Sequence, residues 1–494
     1  MRWFVASCVL GSLVSASAAN AQVAGEVDSE TRTITASNGE VVEFEVGTLW
    51  VPENRSDPDS RLSGVGYAWF PSSDEDSEAP PSFHLPGGPG SSYVAPLEQG
   101  GGARMLDRIA PYRAVSDVVL VDQRGFSERG DVLRAPFTVP ARDPRNPPTM
   151  AEKVATMTTW ATRTRDRYAE TEIDLRGYTV LECADDVRDL ASALFFTEIT
   201  LVGTSFGSQW SFAVMRRHPE LVARALLSGV EPLDHAYDMP SYVFAALQRM
   251  WWTLEQDARW QEYLPEGGIA AAAEAVVRRL ERGDVEVEVA GQSVVVTADD
   301  FPSRDPAAIL ALYHGHVSAV AGGLAGELRP REMDRPIIGP LIDSSLGATP
   351  RRSHRLRTDA ATRYIGRDNF VPYMETAGIW PSPDVGDDFR APVLCDIPVV
   401  FAQGEWDLST PVKNLYEIAP YFPNSRCVIA ARGGHGVLEP IQRELPDVWE
   451  TMERFLRTGE LDGIPGRVRL RGRSFTPPSF DPDEPGEWPD GSER

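Results

Sequence analysis

One stretch decides the fold of this chain: ITLVGTSFGSQWS, residues 199–211. Its apolar beginning, residues 199–202, predicts a buried strand, and residues 208–217 have the character of a helix. A strand, a sharp turn and a helix in this order would hold Ser205 at the tip of the turn. A side chain at Gly203 or Gly207 would crowd the place where strand and helix close together. The stretch therefore predicts an exposed nucleophilic serine, which needs partners elsewhere in the chain.

The partners of Ser205 should be a histidine and a carboxylate, because a serine hydroxyl is a weak nucleophile at neutral pH. Among the seven histidines, His435 alone follows the last predicted strand, in the loop RGGHG. The acid should leave the end of the preceding strand, where GEWD offers Glu405 and Asp407. Asp407 is preferred, since the turn after the strand can aim it at the histidine loop, and Glu405 is the alternative. Along the chain, the order serine, aspartate, histidine is the one expected for a catalytic triad in a fold of alternating strands and helices.

A glycine-rich loop, PGGPG at residues 86–90, follows the predicted short strand at residues 82–85. It lacks the Lys-Ser/Thr of a phosphate-binding P-loop and the spacing of a dinucleotide-binding loop. Glycines allow backbone N–H groups to approach a developing oxyanion closely. We therefore predict an oxyanion hole formed by the N–H groups of Gly88 and Phe206.

Composition excludes several classes of partner. The 494-residue chain has a formal net charge of −25 and only two lysines, which argues against binding to nucleic acid or an anionic membrane. His314 and His316 lie in a segment of helical character, where their rings would not converge, and no other ligand stands at metal spacing. No metal and no other cofactor is predicted.

Five motifs occur together in one order: PGGPG at 86–90, DQRGFS at 122–127, GTSFG at 203–207, GEWDLSTP at 404–411 and GGHG at 433–436. In this order they resemble the prolyl and tripeptidyl aminopeptidase group of the α/β-hydrolases. The opening FEVGTLWVPENR resembles the exported members of that group. Prolyl iminopeptidases usually have a histidine at the position of Pro86. The tripeptidyl-type relatives have a proline there, as this chain does. The resemblance implies serine hydrolysis through an acyl-enzyme, with removal of residues from a free peptide N-terminus.

An aminopeptidase of this kind needs a carboxylate to hold the ammonium of its substrate. Glu231, just after a predicted strand at residues 223–230, is the candidate, and an ordinary loop glutamate is the alternative. A carboxylesterase or small-amide hydrolase could use the same triad. A non-enzymatic binding protein would be favoured by a missing triad member, and none is missing. Ser205 excludes an epoxide or haloalkane hydrolase, which needs an aspartate at that position.

The predicted architecture is an α/β-hydrolase fold, a mostly parallel sheet flanked by helices. A largely helical cap, which sets specificity in the family it resembles, is inserted after the strand that follows the nucleophile. The predicted divisions are a signal peptide at 1–21, the two parts of the core at 22–235 and 391–473, the cap at 236–390, and a Pro/Asp-rich tail poor in order at 474–494.

The amino-terminus predicts export. Arg2 precedes a short apolar stretch that ends in Ala-Asn-Ala, a cleavage site of the A-x-A type. We therefore expect a periplasmic or secreted protein without stable membrane insertion. Export permits a disulfide, for which Cys395 and Cys427 are the plausible pair, since both lie at predicted neighbouring strands. Cys183 belongs to a helical pattern and is expected to be buried.

Overall fold

A computed structural model describes residues 22–484 and Gly486. The predicted signal peptide and the rest of the carboxy-terminal tail lie outside these residues. The strands are β1 (Val27–Thr35), β2 (Val41–Pro52), β3 (Leu62–Phe70), β4 (Ser82–Leu85), β5 (Val118–Val121), β6 (Arg134–Val139), β7 (Ile199–Thr204), β8 (Val222–Ser228), β9 (Val285–Val289), β10 (Gln292–Val296), β11 (Arg331–Pro336), β12 (Val399–Gly404), β13 (Ser425–Ala431) and β14 (Arg467–Arg469).

The α-helices alternate with these strands in the core and follow one another in the insertion. They are α1 (Ala95–Glu98), α2 (Gly102–Arg113), α3 (Met150–Ala169), α4 (Val180–Ala193), α5 (Phe206–Arg217), α6 (Pro240–Leu254), α7 (Gly268–Leu280), α8 (Pro306–Tyr313), α9 (Ala321–Glu327), α10 (Ile338–Leu346), α11 (Pro350–Thr358), α12 (Thr362–Ile365), α13 (Val371–Thr376), α14 (Asp387–Arg390), α15 (Val412–Ile418), α16 (Leu438–Glu444) and α17 (Pro446–Thr458).

Ten strands form one sheet in the order β1-β2-β3-β5-β4-β7-β8-β12-β13-β14. The pairs from β5 to β14 are parallel, and those from β1 to β5 are antiparallel. Helices cover both faces, so the parallel strands are buried runs of apolar residues, such as VVLV in β5. This topology confirms the predicted α/β-hydrolase fold class.

The strand order reverses around β4, which lies between β5 and β7 although it precedes both in the chain. Ligands of open α/β sheets bind at the carboxyl ends of strands near such a reversal. The register places Leu85, the last residue of β4, beside Gly203 of β7. The glycine-rich loop and the serine turn therefore leave the sheet side by side.

The insertion between β8 and β12 has a hydrophobic core of its own. Its buried side chains come from α6, α7, α8 and the β9–β10 hairpin, and include Trp251, Trp260 and Val276. Strand β11 pairs antiparallel with β6, and α13 packs on α3. Residues 134–169, which the predicted division placed in the first part of the core, thus pack with the insertion.

The described part of the tail, residues 474–484, contacts the insertion. Phe475 is buried in the core of the insertion, and Phe480 stacks near Tyr263, His314 and His316. These contacts bury apolar rings that a composition rich in proline and aspartate does not predict.

The plausible cysteine pair is not formed, because Cys395 and Cys427 are free. The N–H of Cys395 donates to the carbonyl of Tyr421, whereas Cys427 lies beside Phe401. Cys395 thus lies before the start of β12 beside Tyr421, whereas Cys427 lies within β13, six positions further along the chain than Tyr421. A disulfide needs Cα atoms within about 7 Å. Cys183 is buried, as predicted.

Candidate active site

Ser205 occupies the turn between β7 and α5 with φ of 60° and ψ of −131°. A non-glycine residue rarely adopts a positive φ, so the surrounding structure must hold this turn in place. A Cβ atom at Gly203 would come within 2.3 Å of the carbonyl oxygen of Gly207. One at Gly207 would come within 2.1 Å of the carbonyl oxygen of Leu85. Both glycines of the motif are therefore required by close backbone approach.

His435 and Asp407 are brought together at the ends of β13 and β12. The His435 Nδ1 atom lies 3.0 Å and 3.1 Å from the two carboxylate oxygens of Asp407. Asp407 is fully buried, whereas 38% of the His435 side chain is exposed. The carboxylate thus fixes one edge of the imidazole and leaves the ring accessible from the solvent side.

Four further hydrogen bonds hold the Asp407 carboxylate. The N–H groups of Ser409 and Thr410 donate to Oδ1, each at 2.9 Å. The Thr410 hydroxyl and the Gln403 amide donate to Oδ2 at 2.7 Å and 3.0 Å. Hydrogen bonds from this many donors hold the buried carboxylate in one orientation. The sequence motif GEWDLSTP therefore encodes both the acid and its supports.

The imidazole lies beside the serine turn. A Cβ atom at Gly229 would come within 3.2 Å of both His435 Cε1 and the Ser205 backbone nitrogen. Among the described residues, the Ser205 hydroxyl makes no hydrogen bond within 3.5 Å. Catalytic hydrogen bonds are often long in substrate-free enzymes and tighten when substrate binds. The three predicted triad residues thus meet at one place.

Burial disfavours the charged form of His435, but the hydrogen bond and the charge of Asp407 outweigh it. The charge of Asp238 acts in the same direction, and the pKa of His435 is raised above its usual value. A more basic imidazole is a stronger proton acceptor, provided that the pH keeps it neutral before the reaction.

Glu405, the alternative acid, points elsewhere. Its carboxylate lies 2.8 Å from the guanidinium of Arg467 on β14. Its neighbour Trp406 packs into the core of the insertion. A turn that directs residue 407 inward directs residue 405 toward the edge of the sheet.

The glycine-rich loop passes next to the nucleophile. A Cβ atom at Gly87 would lie 3.3 Å from Ser205 Cβ and 3.9 Å from its hydroxyl oxygen. Gly88 has a φ of 119°, which favours glycine. Phe206 is the first residue of α5, so its N–H has no partner within the helix. Phe206 therefore lies at the serine turn, and Gly88 directly follows the glycine that contacts Ser205.

The motif DQRGFS supports this loop, a role that the sequence pattern alone did not reveal. The Gln123 side chain accepts a hydrogen bond from the Gly90 N–H at 2.8 Å. The Asp122 carboxylate accepts from the hydroxyl of Ser92 and from the next two backbone N–H groups. Arg124 forms a fully buried two-bond ion pair with Asp186. The motif thus ties the glycine-rich loop to the helix layer.

Three carboxylates surround the approach to the triad: Glu231, Asp238 and Asp343. Each is partly buried. Among the described residues, none of the three side-chain carboxylates makes a hydrogen bond or an ion pair. The negative charges of Asp238 and Asp343 act on Glu231, as does that of Asp407. The sequence predicted Glu231 and missed Asp238 and Asp343, which come from the insertion.

Burial is the main cause that raises the pKa of all three carboxylates, and mutual repulsion adds to it. The pKa of Glu231 is raised well above its usual value. That of Asp238 is raised to about 7 and that of Asp343 to about 8. The charge of Arg352 acts in the opposite direction on Glu231 and Asp238, and that of Arg335 on Asp343, but among the described residues no arginine forms an ion pair with the cluster. Clustered acids without an ion-paired cation are costly unless a cation joins them. The cluster is therefore suited to hold a positively charged group of a ligand.

Other candidate groups do not converge into a site. The ring of His314 bonds the carbonyl of Tyr263, and His316 packs on Phe480. Within residues 22–484, no set of three or more His, Cys, Asp or Glu side chains has the arrangement of a metal site. In the same part of the chain, no helix is both long and apolar enough to cross a membrane.

Residues 368–467 match a family model described as TAP-like protein, which confirms the resemblance seen in the motifs. The matched segment carries β12, Asp407, β13 and His435. The chain is an α/β-hydrolase with a TAP-like domain. No curated protein matches the chain.

Solved structures similar to this α/β-hydrolase include a serine hydrolase from Cycloclasticus zankles, at 11% identity and a TM-score of 0.34, which covers 88% of this chain and 100% of its own. An esterase from Exiguobacterium antarcticum has 12% sequence identity and a TM-score of 0.34. The match covers 82% of this chain and 98% of the esterase. An esterase from Rhodococcus sp. ECU1013 has 15% sequence identity and a TM-score of 0.34. The match covers 87% of this chain and 98% of the esterase. The fold assignment rests on the strand order described above.

Proposed function

We propose that this α/β-hydrolase is an exported serine aminopeptidase that releases residues from free peptide N-termini. The observation that carries the proposal is the cluster of Glu231, Asp238 and Asp343 beside the triad. A substrate ammonium would supply the ion-pair partner that these carboxylates lack among the described residues, and would thereby place the peptide N-terminus at a fixed position. An ester without an amine would gain nothing from them.

The reaction would proceed in two steps on the triad. The Ser205 hydroxyl oxygen attacks the carbonyl carbon of the scissile peptide bond while His435 takes the hydroxyl proton. N–H groups of Gly88 and Phe206 stabilise the negative oxygen, the C–N bond breaks, and His435 gives its proton to the leaving amine. Water, deprotonated by His435, then attacks the acyl-enzyme and releases the acyl product and the free Ser205 hydroxyl.

The aminopeptidase proposal is tested with matched substrates that differ only at the amine. We expect p-nitroanilides of proline, alanine and short tripeptides with a free amine to be hydrolysed, and their N-acetylated forms to react at least about tenfold more slowly. p-Nitrophenyl acetate and butyrate serve as ester substrates in the same assay. Hydrolysis of the esters with no turnover of any free-amine anilide would instead favour the carboxylesterase alternative.

Glu231→Gln is expected to lower kcat/KM for free-amine anilides about 10- to 100-fold, mainly through KM. The substitution removes one charged partner of the ammonium, and hydrogen bonds to charged groups contribute about 1.5–3 kcal/mol. The measurement is steady-state kinetics on a free-amine anilide and on p-nitrophenyl acetate, whose kcat/KM should stay within about threefold.

A matched control is Glu220→Gln, since Glu220 is exposed and away from the triad. A second readout is the pH dependence of KM. The raised pKa values mean that the carboxylates gain charge as the pH rises from about 6 to 8. KM for free-amine anilides should therefore fall over this range, and KM for the ester should not. Equal losses on both substrates would show that Glu231 supports the fold and does not bind the amine.

A further inference from the structure

A cavity of about 630 Å³ lies next to the segment that follows β8, and it is called the second cavity because it is separate from the triad. Pro232, Leu233 and His235 line it, so the same segment that carries Glu231 and Asp238 forms one of its walls. Among the described residues, its lining contains none of the triad. A volume of this size is typical of a site for a small organic ligand.

Apolar side chains form most of the wall of this second cavity. They come from the end of α5, from the segment before β12 and from the end of α15, and include Phe212, Met215, Val393, Leu394, Ile397 and Phe422. Leu394 is 76% exposed, which is unusual for a leucine and leaves an apolar surface at the mouth. An apolar ligand would find a long wall here.

Arginine is the most frequent charged residue in the lining of the second cavity, although the chain as a whole is acidic. Five arginines line it against three carboxylates, whereas the formal net charge of the chain is −25. Two of those carboxylates already have partners. Asp234 accepts hydrogen bonds from the N–H and hydroxyl of Thr349, and Glu417 is bonded to His235 and Tyr242. Arg390 is ion-paired with Asp384 and Asp387, Arg355 is paired with Glu417, and Arg216 donates to two backbone carbonyls. Arg351 and Arg352 are therefore the cationic groups of the wall that a ligand anion would use.

Arg352 has an N–H group without a partner inside this cavity wall. Arg352 is only 4% exposed. Its Nη2 atom donates to the carbonyl of Tyr237 at 2.8 Å, and its Nε atom has no hydrogen-bond partner. Its nearest carboxylate oxygen, on Glu417, is 3.8 Å away. A buried N–H that is left unpaired costs free energy until an acceptor reaches it.

We propose that the second cavity binds an organic carboxylate with an extended apolar body. The carboxylate would lie at Arg352 and the neighbouring exposed Arg351, and the body would lie along Phe212 and Leu394. Both a fatty acid and a peptide with a blocked amino-terminus have this chemistry. A free peptide ammonium suits the acidic cluster at the triad and is repelled by the arginines, so the two sites select opposite charges.

Cys395 lines the cavity and provides a direct test on the whole mature chain. Alkylation by iodoacetamide, a neutral reagent, is followed by peptide mass spectrometry, with Cys427, also partly buried, as the internal control. Decanoate and N-acetyl-Leu-Phe are the two probes, and decan-1-ol and N-acetyl-Leu-Phe amide are their neutral counterparts. We expect at least one carboxylate to slow alkylation of Cys395 about tenfold at about ten times its Kd, without an effect on Cys427.

The pair of probes distinguishes the two sources of ligand. Protection by decanoate alone assigns the site to fatty acids, protection by the dipeptide alone assigns it to peptide carboxylates, and protection by both assigns it to the shared chemistry. Absence of protection by both carboxylates overturns the proposal. Equal protection by a neutral counterpart overturns the role of the arginines and with it the proposal.

Variants at the mouth test the charge without disturbing the core. Leu394→Glu should weaken carboxylate binding on the order of tenfold more than Leu394→Gln, because both variants lose the same apolar contact and only the glutamate adds a repelling charge. Arg351→Gln should weaken the binding about threefold, as expected for an exposed charge. Because both residues are exposed, these variants should fold. Unchanged protection in Leu394→Glu would contradict the proposed placement of the ligand.

Discussion

Replacing Ser205 by alanine is expected to lower kcat about a millionfold for anilides and esters alike. In serine hydrolases the nucleophile and its base act as one unit, so loss of the hydroxyl removes almost all catalysis except that of the oxyanion hole and substrate binding. The substitution should leave the fold intact, because the Ser205 side chain makes no hydrogen bond in the described part of the chain and the backbone bond from its N–H to Ser228 remains.

The control for Ser205→Ala is Ser192→Ala, which changes an exposed serine of α4 and should keep full activity. A phosphonofluoridate that labels activated serines should modify the unaltered protein at Ser205, seen by peptide mass spectrometry. It should not modify the alanine variant. Retention of near-full turnover in Ser205→Ala would remove Ser205 from the mechanism and leave the strained turn without a chemical role.

The residues at the strand ends could be predicted because the sequence encodes them locally. Each of Ser205, Asp407 and His435 follows a short apolar run and has a glycine within three residues. In a parallel sheet, the carboxyl ends of neighbouring strands meet at one edge, so local patterns suffice to bring the side chains together. The strand neighbours β7, β8, β12 and β13 supply this edge in the order that the motifs predict.

The acidic cluster could be predicted only in part, for the opposite reason. Glu231 follows β8 directly, so its position is tied to the sheet. Asp238 and Asp343 come from loop and helix segments whose placement depends on how the insertion packs. The pairing of β6 with β11 joins residues about 200 positions apart in the chain, and no local sequence pattern predicts it. The chemistry of the triad is thus local in sequence, while substrate recognition is not.

The prediction of a cysteine pair was wrong because two residues on neighbouring strands can still lie at different positions along the strand direction. Cys395 precedes β12 and Cys427 lies within β13, and the parallel register places Cys427 beside Phe401, six positions after Cys395. The same register argument succeeded for Leu85 and Gly203, which the sheet places side by side. Register is fixed by the packing of whole strands and is not visible in one motif.

Asp407→Asn is expected to lower kcat about ten-thousandfold while KM changes little. An asparagine fits the site, but its amide presents a donor or a weaker acceptor to His435 Nδ1, so the imidazole is no longer held with its free nitrogen facing Ser205. The loss of the carboxylate also removes the charge that raises the pKa of His435. The measurement is kcat as a function of pH on an ester that does not depend on the acidic cluster.

The matched control for Asp407→Asn is Glu405→Gln, two positions earlier on the same turn. Glu405 faces Arg467 at the sheet edge and away from His435, and an ion pair with a largely exposed partner contributes about 1 kcal/mol at most, so kcat should stay within about twofold. In the asparagine variant, the lowered pKa of His435 should move the acid limb of the pH profile to lower pH, since the base stays neutral further into acid. A ten-thousandfold loss in Glu405→Gln with a mild effect in Asp407→Asn would exchange the roles of the two carboxylates. The buried hydrogen bonds around Asp407 would then serve the turn alone.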